Sequence, residues 1–217
     1  MAIKQQLDIP PIPNLGTSGA SYSQEVQNQN NNSLRIFFIK LVNALQALTS
    51  SGGGKYINFP YGAFQDSTNQ TASSTTTAYP ITLNTTDFSN AVTLSNSSRI
   101  NVTNAGLYNC QFSIQFKNTT NSTQEFDIWF RKNGTNIANS GSRFGMPPRK
   151  SSGDPSHLIA AMNFFVDMAE NDYIELVWKT GDTGVSIEYY ATSSSPTRPA
   201  IPSVIVTMSY VSKLPEQ

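Results

Sequence analysis

Between Ala105 and Phe116 the chain reads Ala-Gly-Leu-Tyr-Asn-Cys-Gln-Phe-Ser-Ile-Gln-Phe, and this stretch restricts the fold more tightly than any other. Tyr108, Cys110, Phe112, Ile114 and Phe116 alternate with Asn109, Gln111, Ser113 and Gln115. Successive side chains of a strand point to opposite faces, so the spacing predicts a sheet packed on one side and wet on the other. Gly106 reads as a turn residue ahead of the strand. With no proline to interrupt it, the strand is expected at the centre of its sheet rather than at an edge.

The 217 residues suffice for one β domain and an appendage. A domain of about 150 residues buries roughly 70% of its unfolded surface, so neither a disulfide nor a metal is needed to hold it. Charged residues make up 13%, with 14 basic against 14 acidic. That balance leaves no field to gather nucleic acid or an anionic membrane. Polarity comes instead from Asn, Thr, Ser and Gln, which suit β surfaces and turns. The single cysteine, Cys110, falls on the apolar face of the organising strand and reads as a small buried hydrophobe, which excludes an intrachain disulfide. No apolar run is long enough for a signal peptide or a membrane span, so the expectation is synthesis in a cytosol without membrane insertion. The seven Asn-x-Ser/Thr triplets then follow from the Asn/Ser/Thr bias and are read as unmodified.

Along the chain, residues 1–32 carry Pro10, Pro11 and Pro13 and a Gln/Asn run ending in Asn30-Asn31-Asn32. This segment cannot build a core and is expected to lie extended. Its spaced apolar residues Leu7, Ile9, Ile12 and Leu15 leave a docking arm and a disordered tail both open. Ser33 reads as an N-cap for a helix over Leu34–Leu48, about 22 Å long at 1.5 Å per residue. Leu34, Phe38, Leu41, Leu45 and Leu48 step by four and three along it, a packing face of marginal stability alone. Either the helix packs on its own β domain or copies associate around an axis. Gly52-Gly53-Gly54 detaches it as a hinge, which favours self-association. Residues 33–54 form this helix and hinge, and residues 55–217 the head.

In the head the periodicity becomes alternating. Strands are expected at 79–83, 92–94, 100–102, 107–116, 125–132, 158–168, 173–178, 185–190 and 203–211, separated by turns such as Lys132-Asn133-Gly134 and Glu170-Asn171-Asp172. Many short strands joined by polar turns indicate an all-β antiparallel sandwich. Tyr173–Trp178 and Val204–Val211 are apolar in part on both faces, for which a subunit interface is the simplest cover.

Chemistry-bearing residues are few. His157 is the single histidine, and Asp154, Ser156 and His157 share one loop, a poor geometry for a catalytic triad. One histidine and one buried cysteine leave no ordinary zinc site, and no carboxylates have calcium-loop spacing. An ion on a symmetry axis would fall to Asp127 or Glu188. Neither a cofactor nor enzymatic activity is expected. Arg143, Phe144, Arg149 and Lys150, together with His157, read as a long irregular insertion, and Arg198 as part of its counterpart over residues 191–202. Long loops on a rigid sandwich are where binding resides, with Tyr189 and Tyr190 placed for sugar stacking or core packing.

Gly106-Leu107-Tyr108, the Phe130-Arg131-Lys132-Asn133-Gly134 hairpin and Met168 to Leu176 resemble the signatures of the tumour necrosis factor and complement globular-head superfamily. Two departures stand out: Asn171 replaces the glycine before the Asp, and the last strand lacks a Phe-x-Gly pattern. The resemblance implies a jelly roll of about ten strands, assembled as a compact homotrimer and used for recognition. A Pro-rich arm, a helix and such a head also resemble the layout of small virion proteins of tailed bacteriophages. The expectation is a trimeric decoration, cement or short-fibre protein, attached to capsid or tail proteins by its arm and helix. The alternative is a tail fibre protein that recognises a host surface glycan.

Overall fold

The computed structural model describes residues 8–17, 19, 21–50 and 58–214. The chain divides into two compact units, Met1–Asn58 and Phe59–Gln217.

In the first unit, helix α1 spans Gln24–Thr49, capped by the Ser23 hydroxyl, which accepts from the Val26 N–H. The helix therefore starts at Gln24 and not at Leu34, and Ser33 lies inside it, so the expected arm is shorter than residues 1–32. The polar run lacks an apolar period but carries other helix signals. Glu25 sits in the first turn, where the helix dipole favours an acid, and Gln27–Asn31 and Arg35–Asn32 pair along the surface. Asn30 also clasps the arm: its Oδ1 accepts from Gly16 N and its Nδ2 donates to Gly16 O, both at 2.9 Å. Pro10 and Ala44 are the buried residues among those described in this unit. Leu7 and the Gly52–Gly54 hinge lie outside the described residues.

The second unit contains strands β1 (Tyr61–Asp66), β2 (Gln70–Thr71), β3 (Tyr79–Pro80), β4 (Thr85–Asn90), β5 (Val92–Ser95), β6 (Arg99–Val102), β7 (Gly106–Asn118) and β8 (Gln124–Lys132). After them come β9 (Thr135–Asn136), β10 (Ser142–Met146), β11 (Ser156–Met168), β12 (Tyr173–Thr180), β13 (Val185–Ile187), β14 (Ser193–Ser194), β15 (Thr197–Arg198) and β16 (Val204–Ser212). Sheet I runs β4-β1-β16-β7-β11, with β13 continuing the β16 edge of β7 and β2 pairing β13. Sheet II runs β10-β8-β12-β6-β5, with β3 on β12 and β9 on β8. The principal strands β1, β6, β7, β8, β10, β11, β12 and β16 divide between the sheets as β1-β16-β7-β11 and β6-β12-β8-β10, so the fold is an all-β antiparallel jelly-roll sandwich.

The core lies between the sheets on the predicted face of β7. Tyr108, Cys110, Phe112, Ile114 and Phe116 are each 4% exposed or less. Phe116 stacks on Phe126 at 3.8 Å and meets Trp178 edge-on at 5.6 Å, while Phe130 stacks on Phe164 at 5.0 Å. Each such buried aromatic contributes about 1.5–3 kcal/mol of transfer free energy. Burial pushes the Tyr108 phenol up to about 12, and its hydroxyl donates to Asn104 O.

Four expectations change. Gly106 is the buried first residue of β7, not a turn. The supposed insertion after residue 142 begins with β10, so Arg143 and Phe144 are strand residues paired with Asp127 and Phe126. His157 stands in β11 opposite Lys117 rather than in a loop. On β12, Val177 and Glu175 are covered within the chain itself: Val177 is 0% exposed, and Glu175 accepts from Ser98 Oγ at 2.8 Å.

Candidate functional site

The outer face of sheet II carries a cleft built on one rung of the ladder. Alternation along β8 turns Phe126, Ile128 and Phe130 into the core and Glu125, Asp127 and Trp129 outward. Register places Arg143 of β10 on one side of Asp127 and Lys179 of β12 on the other. Arg143 donates to Asp127 through Nε at 2.7 Å and Nη2 at 3.1 Å, and Lys179 Nζ approaches at 3.4 Å. The Arg143 hydrogen bond holds the Asp127 carboxyl below its usual range, with Lys179 adding to it. Arg143 Nη1 also reaches Glu125 at 3.5 Å.

Beside this rung lies a shallow cleft of about 430 Å³, lined by Asp127, Trp129, Asn136, Ile137, Gly141, Ser142 and Arg143. Trp129 is half-buried, and its Nε1 donates to Asn136 Oδ1 at 2.8 Å, which fixes the indole. A second depression of about 120 Å³ adjoins it across the Asp127–Arg143 pair, bordered by Thr75, Lys179 and Gly181.

The outer face of sheet I has a different character. Ile159 (64% exposed), Phe165 (54%), Ile205 (43%), Val211 and Phe88 stand on it with no cover, among Ser113, Gln111, Asn163 and Thr207. Register aligns Phe165 with Asn109 and Ser209. Asn109 Oδ1 is buried there without a hydrogen-bond partner. At one end of this face Glu188 takes the Lys117 ammonium on Oε1 and the Tyr190 hydroxyl on Oε2, and that hydroxyl also meets His157 Nδ1 at 3.1 Å. Burial, and then the Glu188 carboxylate, raise the Tyr190 phenol above its ordinary value.

The residues singled out in the sequence are scattered over these surfaces. Arg143 lies in the cleft, and Phe144 stacks under it on Phe126 at 5.3 Å. Arg149 and Lys150 are exposed in the connection after β10. His157 joins the Glu188 cluster, and Arg198 sits 5.9 Å over the Tyr190 ring. Asp127 and Glu188, the carboxylates considered for an axial ion, each have a cation of their own chain as partner. Among the described residues no group of three or more His, Cys, Asp or Glu could hold a metal ion. On α1, Phe38 and Leu45 are exposed beside Val42, whereas Leu34, Leu41 and Leu48 are partly covered. Ile9, Ile12 and Leu15 of the arm are exposed. Among the described residues no helix is long and apolar enough to cross a membrane.

Trp129, Asn136 and Lys179 were not singled out beforehand. The available signal was a tryptophan on the otherwise polar face of an alternating strand. No protein-family model matches this chain, and no curated protein does.

Proposed function

We propose that the chain is a non-enzymatic virion structural protein. Its jelly-roll heads associate as a homotrimer through the outer face of sheet I, and its arm and helix attach the trimer to capsid or tail proteins. Three copies then project as decoration, cement or a short fibre. The observation that carries the reading is the outer face of sheet I, where Ile159 and Phe165 of β11 and Ile205 of β16 stand exposed on the two strands that flank β7. Large exposed apolar side chains gathered on one face among polar residues mark an interaction site. The exposed Phe38, Val42 and Leu45 recur at i, i+4 and i+7, a second seam available to the same assembly. The virion setting is supported by the layout of Pro-rich arm, helix and head.

The test is solution mass by light scattering for the full chain beside a chain starting at Lys55. Three times 23.7 kDa for the full chain, with a threefold assembly kept on truncation, is the expected result. A monomer in both would overturn the reading.

The Trp129 cleft favours a second reading, recognition of a host surface glycan by the same head.

A further inference from the structure

The cleft on sheet II has a chemistry that selects among ligands. Its charges cancel: Asp127 and Glu125 face Arg143 and Lys179, and the pairs are already made. An anion would have to take Arg143 from Asp127 with Glu125 nearby, and a cation would have to take Asp127 from Arg143. Either exchange breaks a charge-assisted bidentate pair. A neutral ligand rich in hydroxyls breaks nothing. Asn136 uses its Oδ1 on Trp129 and Arg131, while its amide N–H groups have no hydrogen-bond partner among the described residues. Asp127 keeps lone pairs beyond those that Arg143 fills.

The apolar component is Trp129, an indole held by its own hydrogen bond and half-buried in the wall. Ring C–H groups of a pyranose are attracted to the negative face of such a π-system. Gly141 leaves this side of the cleft open. A Cβ built on it would lie 3.8 Å from Trp129 Cβ, in ordinary contact, so a longer side chain there would enter the cleft without disturbing the strand. The volume of about 430 Å³ falls within the range of small-molecule sites, about 300–1,000 Å³, and the depression across the Asp127–Arg143 pair extends it along the sheet.

We propose that this cleft binds an uncharged oligosaccharide, with one ring against Trp129 and its hydroxyls on Asn136 and the Asp127–Arg143 pair. The proposal rests on the glycan-recognition reading above and gives that reading a site and a ligand class; it is independent of the trimer.

The test titrates the full-length protein with neutral oligosaccharides of glucose, galactose, mannose and N-acetylglucosamine, and with sialyllactose and a chitosan oligomer as charged comparators. Binding affinity is read by isothermal titration calorimetry for every protein, and its location in the native protein from the indole N–H signals in NMR. Trp178 is 1% exposed and provides an internal reference. At least one neutral oligosaccharide is expected to shift the Trp129 signal saturably, with both charged comparators at least tenfold weaker. Trp129→Ala and Gly141→Leu should each weaken binding at least tenfold while the thermal transition and solution mass stay unchanged. Saccharide binding that survives both substitutions would overturn the site and leave the recognition reading standing. Silence from every neutral oligosaccharide would overturn both. Tighter binding of a charged comparator would overturn the uncharged class.

Discussion

Gly106 lies under the ring of Tyr210: a Cβ at position 106 would overlap the ring edge and come within 2.8 Å of the Ser212 carbonyl oxygen. The glycine is therefore required by the return of β16 across β7, and Tyr210 then packs edge-on against Tyr108 at 5.5 Å. Gly106→Ala should destabilise the head by about 1–3 kcal/mol, as overpacking does. Urea unfolding of Gly106→Ala, Tyr210→Ala and the double variant checks this, with the double variant expected to recover part of the loss. Independent, additive effects would show that the two residues do not meet.

Asn171 has a left-handed backbone, φ +66°, in the turn that joins β11 to β12. Asparagine tolerates that conformation and glycine adopts it freely. Asn171→Gly should leave stability unchanged or raise it by up to about 0.5 kcal/mol, whereas the β-branched Asn171→Val should cost about 1–3 kcal/mol. Thermal unfolding of both variants makes the comparison.

Asp127 has its carboxyl lowered by Arg143, so its contribution to stability is present above the unfolded value of about 3.9 and is lost as pH falls through the lower folded value. Arg143→Leu should therefore cost most near neutrality, though little for so exposed a pair, and nearly nothing once Asp127 is protonated. Denaturant midpoints of both proteins between pH 7 and pH 2 should converge at the acid end. A gap that stays constant would assign the effect of Arg143 to packing.

Ile205 is 43% exposed on the face proposed to meet another copy. Ile205→Asp should cost the single head little, about 0.5 kcal/mol. An unpaired charge buried between copies is strongly unfavourable. The expected result is a monomer by light scattering with an unchanged β signature in circular dichroism.

Burial pushes the Cys110 thiol up to about 12. The folded state thus favours the neutral thiol; this contribution is complete below about pH 8.5 and declines as pH rises toward 12. A thiol reagent at pH 8 should label the native protein only through opening, in proportion to the unfolded fraction. Rapid labelling without denaturant would contradict the packing of β7.

The alternation of β7, β8 and β11 was legible because each is long and separates apolar from polar faces cleanly. The helix start was not, since Gln24 to Asn32 has no apolar period and part of its support is a clasp on Gly16 from outside the helix. Strand β10 was hidden by Gly145 and by the prolines directly after it, and β4 by its polar sequence. The cover over Val177 comes from the chain's own fold, which no local pattern announces. The cleft was illegible for a related reason. Asp127 and Trp129 share a strand, but Asn136, Gly141 and Arg143 reach them through the β8–β9–β10 turns, and Lys179 arrives from β12.

Strand β16 occupies the middle of sheet I, between β1 and β7, so the strand that follows all others described in the head is the one that joins its first strand to its centre. During translation β1 has β4 on one side but waits on the other for a partner more than a hundred residues downstream, and the matching edge of β7 stays open until β16 has emerged. Closing so long a loop is slow, and exposed strand edges invite wrong pairings meanwhile. A head that lacks Val204–Ser212 would therefore keep both of those edges bare, with their backbone donors and acceptors open to other chains.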